Sequence, residues 1–397
     1  MGKNQLIISL SENVKTTMII QPADRLSHFS EYYFSIKLRE IAQLRSEGRD
    51  VINLGIGSPD LDPDDGVVDE LVSAAKESGV HGYQPYQGIP EFGAAVTGFY
   101  QRHYKAIPTH CSVLPLMGSK EGITHISLAY LNPGDEVLIP SLGYPTYSSV
   151  TRMVGAEPVY FPLIAEDQWA PDWGFLERLD CTKIKLMWIN YPHMPTGASA
   201  SIELLSRLVD FAKRNDILLC HDNPYSFILN DNPLSIFNVQ GADDVSIELN
   251  SLSKTFNMAG WRVGWVLGRS ELIKPVLQIK SNMDSGMFKP LQLAAIKALS
   301  SGKDWFLNLE MTYGKRQIIA YDILRSLECS FDEDQSGMFV WAKVPNGDGV
   351  TFTDRLLQDY NVFLTPGIIF GEAGNDYIRL SLCASEDLLL AVKKRLL

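Results

Sequence analysis

Phe34, Leu38, Ile41 and Leu44 recur at the spacing of one apolar helix side, and Gly48 follows as a stop. The spacing predicts a helix over 29–47. Residues 51–56 read as a short strand entering a Gly/Pro/Asp loop, and 67–78 as another helix. From about residue 112, compact apolar runs alternate with helical patterns. Strands are predicted over 113–117, 136–139, 158–161, 185–190, 217–222, 246–249 and 264–267. Helices are predicted near 120–130, 146–154 and 202–215. This alternation predicts an α/β sheet with helices on both faces. In such sheets ligands bind at the carboxyl ends of strands. A long helix over 304–327 then gives way to strands over 338–344, 362–365 and 377–382, with helices near 351–360 and 385–396. That change predicts a smaller α+β domain, joined in space by the N-terminal segment. The expected division is an N-terminal segment at 1–65, a large domain at 66–303, and a linking helix with the small domain at 304–397.

A chain of 397 residues exceeds one simple core, which fits this division. The formal charge of -12 leaves no basic excess for nucleic acid or an anionic membrane. The five cysteines form no C-x-x-C pair, so neither a metal site nor a disulfide framework is expected. Their use fits a reducing, cytoplasmic setting. The apolar run 6–10 has no small-residue cleavage site after it, so no signal peptide is expected. No apolar run approaches the ~18 residues of a membrane span. Residues 1–20 read as a loosely held extension.

The densest candidate chemistry lies in Ser251-Leu-Ser-Lys-Thr, which places Lys254 in a polar turn, with Arg262 and Gly264 close behind. A lysine shielded from water can lose its proton and condense with a carbonyl. An arginine nearby can hold a phosphate. Together they suggest a Schiff base to a phosphorylated aldehyde, although an isolated turn of this kind suits a surface lysine. Gly118-Ser119-Lys120 follows a predicted strand and opens a helix, where free N–H groups attract phosphate. Ser119 could equally serve as a plain helix cap. Tyr144 follows the strand over 136–139 and could stack on a planar ring or fill the core. Asp222 ends a strand in His-Asp-Asn-Pro-Tyr225 and can face a pyridine nitrogen, or simply build a turn. Arg379 lies among apolar neighbours in a late strand and suits a carboxylate, or an edge position.

The order of these signals along the chain resembles that of the class I/II aminotransferases, which are fold-type-I pyridoxal-phosphate enzymes. The resemblance runs from about residue 25 to the end and is carried by 50–60, 83–91, 118–122, 144–147, 190–197, 222–225, 251–264 and 366–382. It implies a mostly parallel seven-stranded sheet and pyridoxal 5'-phosphate as cofactor. It implies that Lys254 forms the Schiff base and shuttles a proton, that Asp222 pairs with the ring nitrogen, and that Tyr225 bonds the phenolic oxygen. Tyr144 would stack on the ring. Gly118, Ser119, Lys120, Ser251 and Arg262 would surround the phosphate, and Asn190 would lie by the ring. Arg379 would grip the substrate carboxylate beside Ile56, Gly57 and Met194. Tyr83 would reach the phosphate of a neighbouring subunit, which implies a homodimer with shared sites. The implied reaction moves an amino group from an α-amino acid to a 2-oxo acid, with 2-oxoglutarate and glutamate as one pair. A C–S lyase of the same fold is the alternative.

Two departures stand out. The family reads Asn-Pro-Thr-Gly where this chain has Met194-Pro-Thr-Gly197, and a thioether donates no hydrogen bond. Asn190 is kept four positions upstream. The segment 281–288, where dicarboxylate-specific members carry an arginine, has no basic residue and includes Asp284. The Glu31–Phe34 and Gly55–Asp60 segments look more like the LL-diaminopimelate aminotransferase branch.

Overall fold

The computed structural model describes residues 20, 22–28, 31 and 33–396. The expected extension over 1–20 thus falls almost wholly outside the described residues, as does Tyr32.

A seven-stranded sheet forms the centre. Its spatial order is Cys111–Leu116, Gly264–Arg269, Ser246–Ser251, Leu218–Asp222, Ile184–Ile189, Glu136–Pro140 and Glu157–Phe161. Neighbours run parallel except Gly264–Arg269, which is antiparallel to both strands beside it. The central strands are buried along their whole length because helices cover both faces. Leu218–Asp222 and Ser246–Ser251 are buried at every position. Polar residues therefore enter the core at Asp222, His221 and Glu248, where each needs a partner.

The smaller sheet pairs Phe339–Lys343 and Thr365–Pro366 antiparallel to Tyr377–Ser381. The strand expected over 362–365 is in fact two. Val362–Phe363 pairs parallel with Ile52–Asn53, and Thr365–Pro366 turns to the other sheet. This pairing brings the N-terminal part of the chain against its C-terminal part. The strand expected over 51–56 is correspondingly short, ending at Asn53.

The helix expected over 29–47 spans Tyr33–Ser46, and the long helix spans Lys303–Ser326. Helices Pro90–His103, Ser270–Met283 and Lys289–Leu299 lie where no element was expected. Two of them begin at or near a proline, which is favourable in a first turn, and the third contains Pro275. Lys289–Leu299 packs on Asp65–Ala74 and on Pro90–His103, and so buries Ala294, Ala295 and Ala298.

Candidate active site

The carboxyl ends of the Leu218–Asp222 and Ser246–Ser251 strands open on a cavity of about 360 Å³. Lys254, Asp222, Tyr225, Ser119, Lys120, Tyr144, Asn190, Ser251, Arg262, Met194, Ile56, Gly57 and Arg379 all line it. Residues drawn from distant parts of the sequence thus meet in one place. Tyr83 does not line it and is 94% exposed.

Lys254 follows the Ser246–Ser251 strand, and its Nζ donates to the Gly57 carbonyl. The two preceding carbonyls are also engaged. Gly55 O accepts from Arg379 Nη2 and Thr365 Oγ1, each at 2.8 Å, and Ile56 O accepts from Ser381 Oγ at 2.7 Å. Backbone that would extend the Ile52–Asn53 strand is therefore used to bind the site, which is why the strand stops early. Gly57 is required there, since a Cβ would come 2.3 Å from the Phe339 ring. Burial pulls the Lys254 pKa below the usual lysine range; the Cys383 thiol opposes this, and the Arg379 and Arg262 charges add to it.

Asp222 is held by one oxygen. Tyr147 Oη donates to its Oδ2 at 2.8 Å, while Oδ1 is buried with no hydrogen-bond partner. Burial raises the Asp222 pKa to about 6; the Tyr147 hydrogen bond and His221 pull it down, and Glu248 pushes it up. Behind it, His221 Nδ1 lies 2.8 Å from Glu248 Oε2 and its Nε2 lies 2.9 Å from the Tyr191 carbonyl oxygen. Glu248 also accepts from Tyr100 Oη at 2.6 Å, Ser235 Oγ at 2.9 Å and the Ile236 N–H at 2.8 Å. This network fixes the strand ends on which Asp222 and Lys254 depend.

Gly118, not Ser119, occupies the helix N-cap, and Ser119 is the first helical residue. Gly118 has φ 77°, and a Cβ there would lie 2.1 Å from Arg262 Nη2. Arg262 donates to the Ala259 carbonyl at 2.9 Å and the Met117 carbonyl at 3.3 Å. A helix start, the Ser119, Ser251 and Ser253 hydroxyls and a guanidinium thus border one recess suited to an anion.

Asn190 Nδ2 donates to the Asp222 carbonyl at 2.6 Å, and its Oδ1 accepts from the Met194 N–H at 2.8 Å. It ties the Met194 loop to the end of the Asp222 strand. His193 also braces the loop through Thr196 Oγ1 at 2.8 Å and the Leu142 carbonyl at 3.0 Å. Its burial lowers the imidazole pKa to about 4, so it stays neutral. Tyr225 is buried, and burial raises its phenol above the usual range. Tyr144 meets Tyr147 edge to face at 5.7 Å.

An amine, a buried acceptor with no donor and an anion recess share one cavity. The aldehyde, ring nitrogen and phosphate of pyridoxal phosphate are their three chemical complements, so these residues fit that group.

Sequence reasoning missed Tyr147, which lies one helical turn after Tyr144, the one available signal. It also missed Phe339 and Phe370 on the cavity wall. Phe34 and Leu38 were assigned only to a helix's apolar side, yet both face the cavity.

Residues 49–394 match the family described as aminotransferase class I and II. The chain is 39% identical over 381 residues to an LL-diaminopimelate aminotransferase from Halothermothrix orenii, covering 95% of this chain and 98% of that relative. The chain belongs to the class I and II aminotransferases. A second relative of the same name, from Moorella thermoacetica, is 38% identical over 95% of this aminotransferase and 98% of its own length. Among solved structures, substrate-bound BacF from Bacillus subtilis superposes with a TM-score of 0.89 at 34% identity, covering 95% of this chain and 97% of that one. A Thermus thermophilus aspartate aminotransferase mutant gives 0.88 at 25% identity, covering 95% and 99%. This aminotransferase is a fold-type-I, pyridoxal-phosphate-dependent enzyme. Among its described helices, none is long and apolar enough to cross a membrane.

Proposed function

We propose that this aminotransferase moves the amino group of an α-amino acid to a 2-oxo acid in ping-pong order, with glutamate and 2-oxoglutarate as one pair. The observation that carries the reading is that Lys254, Asp222 and Arg379 line the same cavity. Bound pyridoxal phosphate supplies a sink for the electrons left when the Cα–H bond breaks. Asp222, with one oxygen free of any partner, would face the ring nitrogen and favour its protonated form. Tyr225 would bond the phenolic oxygen, and Tyr144 would lie by the ring. Gly118, Ser119, Lys120, Ser251 and Arg262 would hold the phosphate, and Asn190 would keep the neighbouring loop in place. Arg379 takes the α-carboxylate, with Ile56, Gly57 and Met194 around it. Its Nη1 lies 3.4 Å from Met194 Sδ, a weak acceptor that a carboxylate outcompetes. Lys254 Nζ takes the proton from the substrate Cα, and its lowered pKa raises the fraction of neutral amine available.

The test is glutamate formation from 2-oxoglutarate and a donor amino acid, with parallel-line kinetics expected. Release of ammonia and an oxo acid without any acceptor would overturn the reading in favour of elimination.

We also propose a homodimer in which Tyr83 of one protomer reaches the phosphate recess of the other. Its exposure supports this, as does the bridge from Gln84 to Gly286, which joins the Tyr83 segment to the one that carries exposed Met283 and Phe288. Mixing Tyr83→Phe with Lys254→Ala should restore activity in hybrid dimers, because one site regains both residues. A monomer by sedimentation, or no recovery, would contradict it.

A further inference from the structure

We propose that Glu121, His125 and Asp284 form a site for a divalent transition-metal ion of the zinc type, outside the cofactor cavity. The ion ties the helix that opens the phosphate recess to the segment that follows the Ser270–Met283 helix.

Glu121 and His125 stand one turn apart on the Ser119–Tyr130 helix, so their side chains are neighbours. Asp284 directly follows the Ser270–Met283 helix, which packs on the first. One ligand atom from each of the three residues lies within 4.8 Å of the others. Two carboxylates and an imidazole are donors that zinc takes, with a further position left for water.

Three buried atoms of this group lack partners. His125 is 2% exposed, and neither of its ring nitrogens has a hydrogen-bond partner. Its Nε2 lies 3.2 Å from Glu121 Oε1 but out of line for a hydrogen bond. The imidazole is thus aimed at the group without being satisfied by it. Asp284 Oδ1 is likewise buried without a partner. All three atoms are already shut from solvent within one chain, so a neighbouring subunit does not supply what they lack.

Lys280 serves the other oxygens. Its Nζ donates to Asp284 Oδ2 and lies 3.9 Å from Glu121 Oε2, which also accepts the Met117 N–H at 2.6 Å. Two carboxylates therefore share one ammonium, and the excess negative charge lies beside an unpartnered imidazole. Buried groups of this kind are costly until a cation joins them. The Glu121 and Asp284 side chains remain 18% and 22% exposed, which leaves an entry path. Met117 precedes the Gly118 helix cap, so a metal on Glu121 also braces the phosphate turn.

The test titrates tag-free, chelator-treated holoenzyme with zinc by calorimetry, and with cobalt(II) by visible absorption at wavelengths beyond the cofactor band. The expected result is one ion per subunit, bound in the micromolar range or tighter, with a rise in Tm. His125→Gln and Asp284→Asn should each weaken zinc binding by about 100-fold or more, at least the cost of losing an outer-shell partner. Cofactor absorbance per subunit and Tm without metal check that each variant is folded. Binding no tighter than millimolar in the wild type would overturn the site. So would wild-type affinity in either folded variant, because the ion would then sit elsewhere.

Discussion

Tyr147 donates to Asp222 Oδ2 at 2.8 Å, and Oδ1 of the same carboxylate is buried with no hydrogen-bond partner. Trp188 stacks under Tyr147 at 5.0 Å with rings 5° apart, which fixes the phenol and through it the carboxylate. The orphaned oxygen is costly without a donor and valuable once a ring N–H arrives.

Tyr147→Phe keeps the ring and removes one hydrogen bond to a charged acceptor. Cofactor affinity should fall about 10- to 100-fold, which corresponds to the roughly 1.5–3 kcal/mol of such a bond. Fluorescence titration of the cofactor-free protein measures this. The fold should remain, because no cavity is created.

Asp222 sets a pH dependence on the cofactor-free protein. Its pKa rises from 3.8 to about 6 on folding, mainly through burial. The folded state thus binds this proton more tightly than the unfolded chain does. The associated stability is fully present below about pH 4 and is lost as pH rises through about 6, on the order of 3 kcal/mol. Asp222→Asn escapes that loss. Without cofactor, the variant should melt above the wild type at pH 8, and the gap should close near pH 4. A gap independent of pH would contradict the assignment.

Much of this was legible in the sequence because local rules and tertiary structure agree there. The strand that ends at Asp222 begins as an apolar run, and the residues that close this strand and its neighbour, Asp222 and Ser251, line the cavity. Arg379 was readable as a charge among apolar neighbours, and Lys254, in a turn that on its own suits a surface lysine, through its place in the ordered set of signals. The illegible part depends on long-range contact. Nothing local says that the carbonyls of Gly55, Ile56 and Gly57 leave the strand to serve Arg379, Ser381 and Lys254. Nothing local marks Phe339 or Phe370 either, and only the fold brings them against a guanidinium. The helices at Pro90–His103 and Lys289–Leu299 carry weak amphipathic patterns because their neighbours bury them on several sides.

Met194 stands where the family reads asparagine, and its thioether gives the cofactor's phenolic oxygen no hydrogen bond. One fewer donor leaves that oxygen more basic. In a pH titration of the bound cofactor's visible band, the wild-type midpoint should lie above that of Met194→Asn. Equal or reversed midpoints would contradict this.

Arg316 binds Asp60 through both carboxylate oxygens, at 2.6 and 2.9 Å, and also donates to the Leu382 carbonyl at 3.0 Å. The pair anchors the loop whose carbonyls meet Lys254 and Arg379. Asp60→Asn leaves a buried guanidinium without its counter-charge and should cost about 3 kcal/mol in denaturant unfolding. KM for the amino acid should rise as the loop loosens. The double variant Asp60→Leu/Arg316→Met should be less destabilised than the single change at Asp60, since neither charge is left alone.

The central claim is that Lys254 carries the cofactor. Borohydride reduction of the yellow holoenzyme, followed by digestion and peptide mass mapping, tests it most directly. The account predicts loss of the visible band and a stable cofactor adduct on Lys254. An adduct on another lysine, with Lys254 recovered unmodified, would contradict it.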